Sequence, residues 1–107
     1  MLPPQFAELI QLTKEPFVQA ITDVIGEKNV FMDGKVILVG DAVAGFRPHT
    51  AASTSQAAYD ALLLERMTKG EMKLQEWEEE IMAYARKVQR HGVELGEKSQ
   101  FGRHPLA

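Results

Sequence analysis

The sequence predicts a mostly helical α/β fragment, with one buried strand or short hairpin at about residues 30–39 and two long helices at about 51–69 and 71–91. Three observations carry this prediction. Four consecutive branched apolar residues, Val36-Ile37-Leu38-Val39, lack the alternation of a half-exposed strand and match one covered on both faces, as in a parallel sheet beneath helices. Downstream, apolar residues recur at helical spacing. A strand buried on both faces also needs more sheet and more covering helices than a chain of 107 residues with one strong strand supplies.

From the N-terminus, Phe6, Leu9 and Ile10, then Phe17, Val18, Ile21, Val24 and Ile25, fall at helical spacing on either side of Lys14-Glu15-Pro16. They predict two short helices. Pro16 would open the second, where a missing N–H costs nothing, and Gly26 would end it. Val30-Phe31-Met32, Asp33-Gly34 and residues 35–39 read locally as a hairpin with a type I′ Asp-Gly turn. A compact turn over residues 40–49 leads into the first long helix. Ser53-Thr54-Ser55-Gln56 has the form of a capping box, Thr50 offers a cap one turn earlier, and Gly70 is the stop.

The last helix is expected from about Glu71 to Arg90, with Leu74, Trp77, Ile81, Ala85 and Val88 as its apolar stripe. That stripe is core packing, and the acidic run from Glu76 to Glu80 is a solvated face. Arg86, Lys87, Arg90 and His91 would then sit at the helix end, where cations favour the dipole. Gly92 and Gly96 are expected to keep the helix from continuing, leaving residues 98–107 as a loose tail.

Composition narrows the function. Apolar residues at 45% and charged residues at 25% provide for a core. A net charge of −3 gives no electrostatic reason to bind nucleic acid or an acidic membrane. The absence of cysteine excludes disulfides, thiolate metal sites and cysteine nucleophiles, and fits a reducing compartment. Met1-Leu2-Pro3-Pro4-Gln5-Phe6 has neither a basic n-region nor an apolar h-region, and no run approaches the ~18 apolar residues of a spanning helix. A cytoplasmic protein is expected.

The informative place for chemistry is the turn after residues 35–39, because ligands of open α/β sheets bind beyond the carboxyl ends of strands, against helix starts. Asp41 stands at that end, and its carboxylate suits the vicinal hydroxyls of a sugar or sugar alcohol. The alternative is a tight strand exit whose aspartate satisfies local amides. Two phosphate motifs fail. Gly40 and Gly45 have the spacing of a P-loop, but Phe46-Arg47 replaces its Lys and Ser/Thr, and G-x-G-x-x-G occurs nowhere. His49, His91 and His104 lack metal-ligand spacing, and no G-x-S-x-G surrounds Ser53, Ser55 or Ser99.

Taken together, Lys35-Val36-Ile37-Leu38-Val39-Gly40-Asp41-Ala42, Arg47-Pro48-His49 and Asp60-Ala61 resemble the second FAD-binding motif of the FAD-dependent aromatic hydroxylases, the class A flavoprotein monooxygenases. The likeness is greatest to the 2,6-dihydroxypyridine 3-monooxygenase-like branch and extends from about Phe6 to Gln100. The resemblance implies the C-terminal part of a Rossmann-like FAD-binding fold. On it, residues 1–29 end a substrate-domain-like region, 30–70 form an FAD-binding strand-turn-helix, and 71–107 are a C-terminal helix and tail.

It further implies that Asp41 binds the ribityl or ribose hydroxyls of FAD, that Gly40 lets the backbone pass close, and that Pro48 lies beside the flavin ring. The backbone of Thr50, Ala51, Ala52, Ser53 and Thr54 would face the ring's N1 and C2 carbonyl, where negative charge gathers on reduction. The family takes electrons from NAD(P)H and uses O2 to hydroxylate an electron-rich ring. This sequence departs from the pattern in three places: Val43-Ala44 replaces Ala-His, Ala51 and Ser53 replace two glycines, and Ser55 replaces an asparagine. The G-x-G-x-x-G half is absent, so the chain alone is expected to be inactive, and no substrate-facing catalytic residue carries over. Expected partners are the flavin and a small aromatic substrate, with a homo-oligomer or the N-terminal half of the site as protein partner. A non-enzymatic helical interaction protein is the rival expectation, and a small phosphate-binding α/β domain a third.

Overall fold

The computed structural model describes residues 2–102, so His104 and the end of the expected tail lie outside the described residues. Helix α1 spans Pro4–Leu12, and four two-residue strands come after it: β1 at Val24–Ile25, β2 at Val30–Phe31, β3 at Val36–Ile37 and β4 at Ala44–Gly45. Short 3-10 turns occupy Gly40–Ala42 and Pro48–Thr50. The long helices are α2 at Ala52–Thr68 and α3 at Leu74–Gln100. The chain is thus mostly helical, with two small antiparallel pairs, β1 with β4 and β2 with β3.

The hairpin forms, but the expectation of a strand buried on both faces is corrected. Phe31 pairs with Val36 and Val30 with Ile37 in antiparallel register. Ile37 and Leu38 pack toward the core, whereas Val36 and Val39 remain 41% and 40% exposed. The helices cover one side only. The turn is also centred one residue early: Met32 and Asp33 have φ of 51° and 55°, and Gly34 donates its N–H to the Phe31 carbonyl at 3.1 Å. Two successive positive φ values are what a type I′ turn requires, here at Met32-Asp33 and not Asp33-Gly34.

Of the two N-terminal helices only α1 forms. Residues 16–23 are irregular, and Phe17 and Val18 are 84% and 103% exposed. A short helix owes its stability mainly to a packed apolar face, and these side chains meet no surface. Gly26 therefore ends no helix. It donates its N–H to the Val43 carbonyl at 2.8 Å, continuing the β1–β4 pairing, and a Cβ there would come within 3.3 Å of the Lys28 carbonyl.

The core lies between α2, α3 and residues 43–44. Val43, Ala44, Leu63, Trp77, Ile81, Met82 and Ala85 are buried there, so the Trp77 stripe packs as expected from Leu74 to Ala85, while Val88 lies outside this cluster and lines a cleft. Gly70 stops α2 with φ +77°: its N–H reaches the Met67 carbonyl and that of Glu71 the Arg66 carbonyl, each at 3.0 Å, the paired closure of a Schellman motif. After this turn α3 starts at Leu74, later than expected, and the Glu76 carboxylate accepts the Lys73 N–H at 2.8 Å.

Helix α3 does not break at Gly92 or Gly96 but runs to Gln100. Both glycines face the segment before α2. A Cβ on Gly92 would meet Thr50 Cγ2 at 3.5 Å, and one on Gly96 would meet the His49 ring at 3.5 Å. The absent side chains make room for that segment. Because α3 continues, Arg86, Lys87, Arg90 and His91 are interior positions, away from the last turn where the helix dipole acts.

The Cα radius of gyration is 18.6 Å, against about 13 Å for a compact domain of this length. On the N-terminal arm Phe6, Leu9, Ile10, Phe17, Val18 and Ile21 are all more than half exposed.

Candidate functional site

The loop after β3 is held from behind. Gly40 is buried with φ +58°, and its N–H donates to Asp60 Oδ2 of α2 at 2.7 Å. A Cβ on Gly40 would lie 3.3 Å from the Ala57 Cβ, so only glycine allows both the left-handed backbone and this approach to α2. The Gly40 carbonyl accepts the Val43 N–H at 3.0 Å, closing the turn that puts Asp41 on the surface. Asp41, Ser53, Thr54 and Ala57 line one shallow hollow of about 320 Å³.

Neither expected cap occurs at the start of α2. Gln56 is buried and donates to Asp60 Oδ1, so it cannot reach back to the helix start. Thr50 donates to the Arg47 carbonyl at 3.4 Å and closes its own turn. The N-cap is Ala51, without a side-chain bond, so the first N–H groups of α2 have no capping side chain. Ala51 has φ 51° and ψ 27°, a left-handed conformation unfavourable to any residue with a Cβ. Ala51→Gly is expected to raise stability by about 0.5–1 kcal/mol, the strain removed exceeding the added entropy of the unfolded chain. A higher urea midpoint at unchanged slope would show it.

The structure divides the expected site residues. Gly40 backs the loop, while Asp41, Ser53 and Thr54 share the hollow. Pro48 and Ala51 are exposed at the approach to α2. Thr50 and Ala52 face elsewhere, into a cleft of about 540 Å³ between the helix start and α3.

Three interactions fix this arrangement, two of them without any local sign in the sequence. Arg47 Nε donates to Asp23 Oδ1 at 2.7 Å, and Gln89 Nε2 of α3 donates to Asp23 Oδ2. Asp23 thereby ties the N-terminal arm to both the loop and α3. The Arg47 guanidinium, joined by the Gln89 amide, holds the Asp23 carboxyl below its usual range despite partial burial. His49 Nε2 lies 3.0 Å from the Gly92 carbonyl, which can only accept, so this nitrogen is the donor. Asp60 is the third: burial pushes its pKa up, opposed by the Gly40 N–H and the Gln56 amide. Gln56 and Asp60, four apart on one helix face, were the one local signal of such a pair.

Among the described residues no three His, Asp or Glu side chains gather at metal-binding distance, and no helix is long and apolar enough to cross a membrane.

Over 104 residues the chain is 34% identical to a 2,6-dihydroxypyridine 3-monooxygenase of Paenarthrobacter nicotinovorans, the match covering 90% of this chain and 26% of that relative. The chain therefore spans about a quarter of the relative's length. No family model matches the chain, and no solved structure does.

Proposed function

We propose that this chain is the C-terminal portion of an FAD-dependent monooxygenase acting on an aromatic or heteroaromatic compound with NAD(P)H and O2. Its part in that enzyme is to hold the ring and ribityl end of the flavin. The observation that carries the proposal is the 34% identity over 104 residues to a monooxygenase, a span that takes in the loop and the helix start. The geometry supports it. A surface carboxylate at Asp41 shares a hollow with Ser53 and Thr54, beside a helix start without a side-chain cap.

These residues suit FAD chemically. Asp41 can accept hydrogen bonds from sugar-alcohol hydroxyls, and Ser53 and Thr54 add donors at the hollow's edge. Gly40 keeps the loop close to α2, and the uncapped N–H groups of α2 favour a partner with electron-rich oxygens. When bound, FAD supplies the electron transfer and oxygen activation. The protein's task is orientation and the stabilisation of negative charge at the α2 start. The chain alone holds no G-x-G-x-x-G and is expected to show no NADPH oxidation with added FAD.

Asp41→Ala tests the assignment. Loss of charged hydrogen bonds is expected to weaken FAD binding by about 1–3 kcal/mol, read by flavin fluorescence titration. Unchanged binding would show that the hollow is not the flavin site.

A second reading is favoured by the N-terminal arm. Val18 is 103% exposed and Phe17 84%, an apolar surface of the kind that seeks a partner. On this reading the chain is an interaction protein that pairs with a second copy. Sedimentation of a stable flavin-free dimer would support it, and a soluble monomer would remove it.

A further inference from the structure

The larger cleft lies on the opposite face of α2 from Asp41. At about 100° per residue, Ala52 and Ser55 point away from Ser53, Thr54 and Ala57. His49 and Ser55 line one wall, and Tyr84, Lys87, His91 and Leu95 of α3 line the other. The α3 residues succeed one another at intervals of three or four, so they form a single face.

The charge on this face is one-sided. Among the described residues no Asp or Glu lines the cleft, and none of the three ion pairs involves Lys87 or a histidine. Lys87 and His91 stand four apart, on one face of α3. Their place inside α3 removes the helix dipole as a reason for them. Two neighbouring groups are fixed in position. His49 spends its Nε2–H on the Gly92 carbonyl, which fixes the ring and leaves Nδ1 as an acceptor at the cleft wall. Tyr84 is packed against Tyr59 with ring centroids 4.5 Å apart. Val88 and Leu95 supply apolar wall between the polar groups.

We propose that this cleft binds a small aromatic carboxylate. Its carboxylate pairs with Lys87 and an N–H of His91, and its ring lies against Tyr84 and the aliphatic wall. The volume of about 540 Å³ is within the range of small-molecule sites. The site is separate from the flavin hollow and does not depend on that assignment.

The test is an NMR titration of the 107-residue protein with benzoate, benzamide and inorganic phosphate. Benzoate is expected to shift Tyr84, Lys87 and His91 signals saturably, with benzamide about tenfold weaker for want of the charge. Lys87→Gln, at an exposed position, should keep the fold and weaken benzoate by about tenfold. Absence of saturable benzoate shifts, equal binding of benzamide, or unchanged affinity in Lys87→Gln would overturn the proposal. Phosphate binding as tightly as benzoate would overturn its aromatic part.

Discussion

Trp77→Ala is expected to lower stability by about 3–5 kcal/mol, enough to unfold much of the population of a small domain. Trp77 is fully buried where α3 meets α2 and residues 43–44, and the buried core is small. Its loss leaves Ile81 and Leu63 facing a void that the neighbouring helices cannot close without shifting. The indole N–H is buried and has no partner among the described residues, so the side chain's value is volume and apolar contact. Trp77→Phe should therefore cost much less than Trp77→Ala. Urea denaturation monitored by circular dichroism orders the three proteins, and equal losses for the two variants would show that the indole nitrogen matters more than the ring.

The second large effect is at Asp60. Asp60→Ala leaves the buried Gly40 N–H and the Gln56 amide without partners, at about 1–3 kcal/mol for each unsatisfied group. It also frees the loop that presents Asp41. Asp60→Asn behaves differently. Its carbonyl oxygen can still accept from Gly40, and once the Gln56 side-chain amide turns over, the Asn amide can donate to Gln56 Oε1, which has no partner among the described residues in the parent.

The pH dependence separates Asp60 from Asp23. Asp60 has a raised folded pKa, so its contribution is fullest below the ordinary carboxylate value of 3.8 and is lost as pH rises through the folded value. Asp23 has a lowered folded pKa, so its contribution is present above 3.8 and lost as pH falls through the folded value. Asp60→Asn should accordingly hold stability within about 1 kcal/mol of the parent at neutral pH and abolish the decline above pH 3.8 due to Asp60. Denaturation midpoints measured between acid and neutral pH check both.

The features legible in the sequence are those a short window decides. The hairpin, the Gly70 stop and the Trp77 stripe all come from spacing and turn chemistry, and all three are found. The grammar of strand, turn and helix likewise brings Asp41 beside Ser53 and Thr54. The misses share a different cause. Gln56 has the place of a capping-box residue, but a buried aspartate one turn later is the stronger partner for its amide. Gly92 and Gly96 have the look of breakers, although a helix tolerates glycine where another segment packs against the bare backbone, as His49 and Thr50 do here. The apolar spacing at residues 16–25 promises a helix that has no surface to pack against. The tie from Asp23 to Arg47 and Gln89 joins positions 24 and 66 residues apart, beyond any local pattern.

The hollow of Asp41, Ser53 and Thr54 is proposed to receive the ring and ribityl end of a flavin. The most direct test is a titration of the folded 107-residue protein with FMN, read residue by residue in amide NMR spectra. Saturable shifts are expected at Gly40, Asp41, Ser53, Thr54 and Ala57, lost in Asp41→Ala. A folded protein that shows no saturable shift at millimolar FMN, or whose shifts fall at Tyr84 and Lys87 and leave the Asp41 loop unmoved, would contradict the assignment.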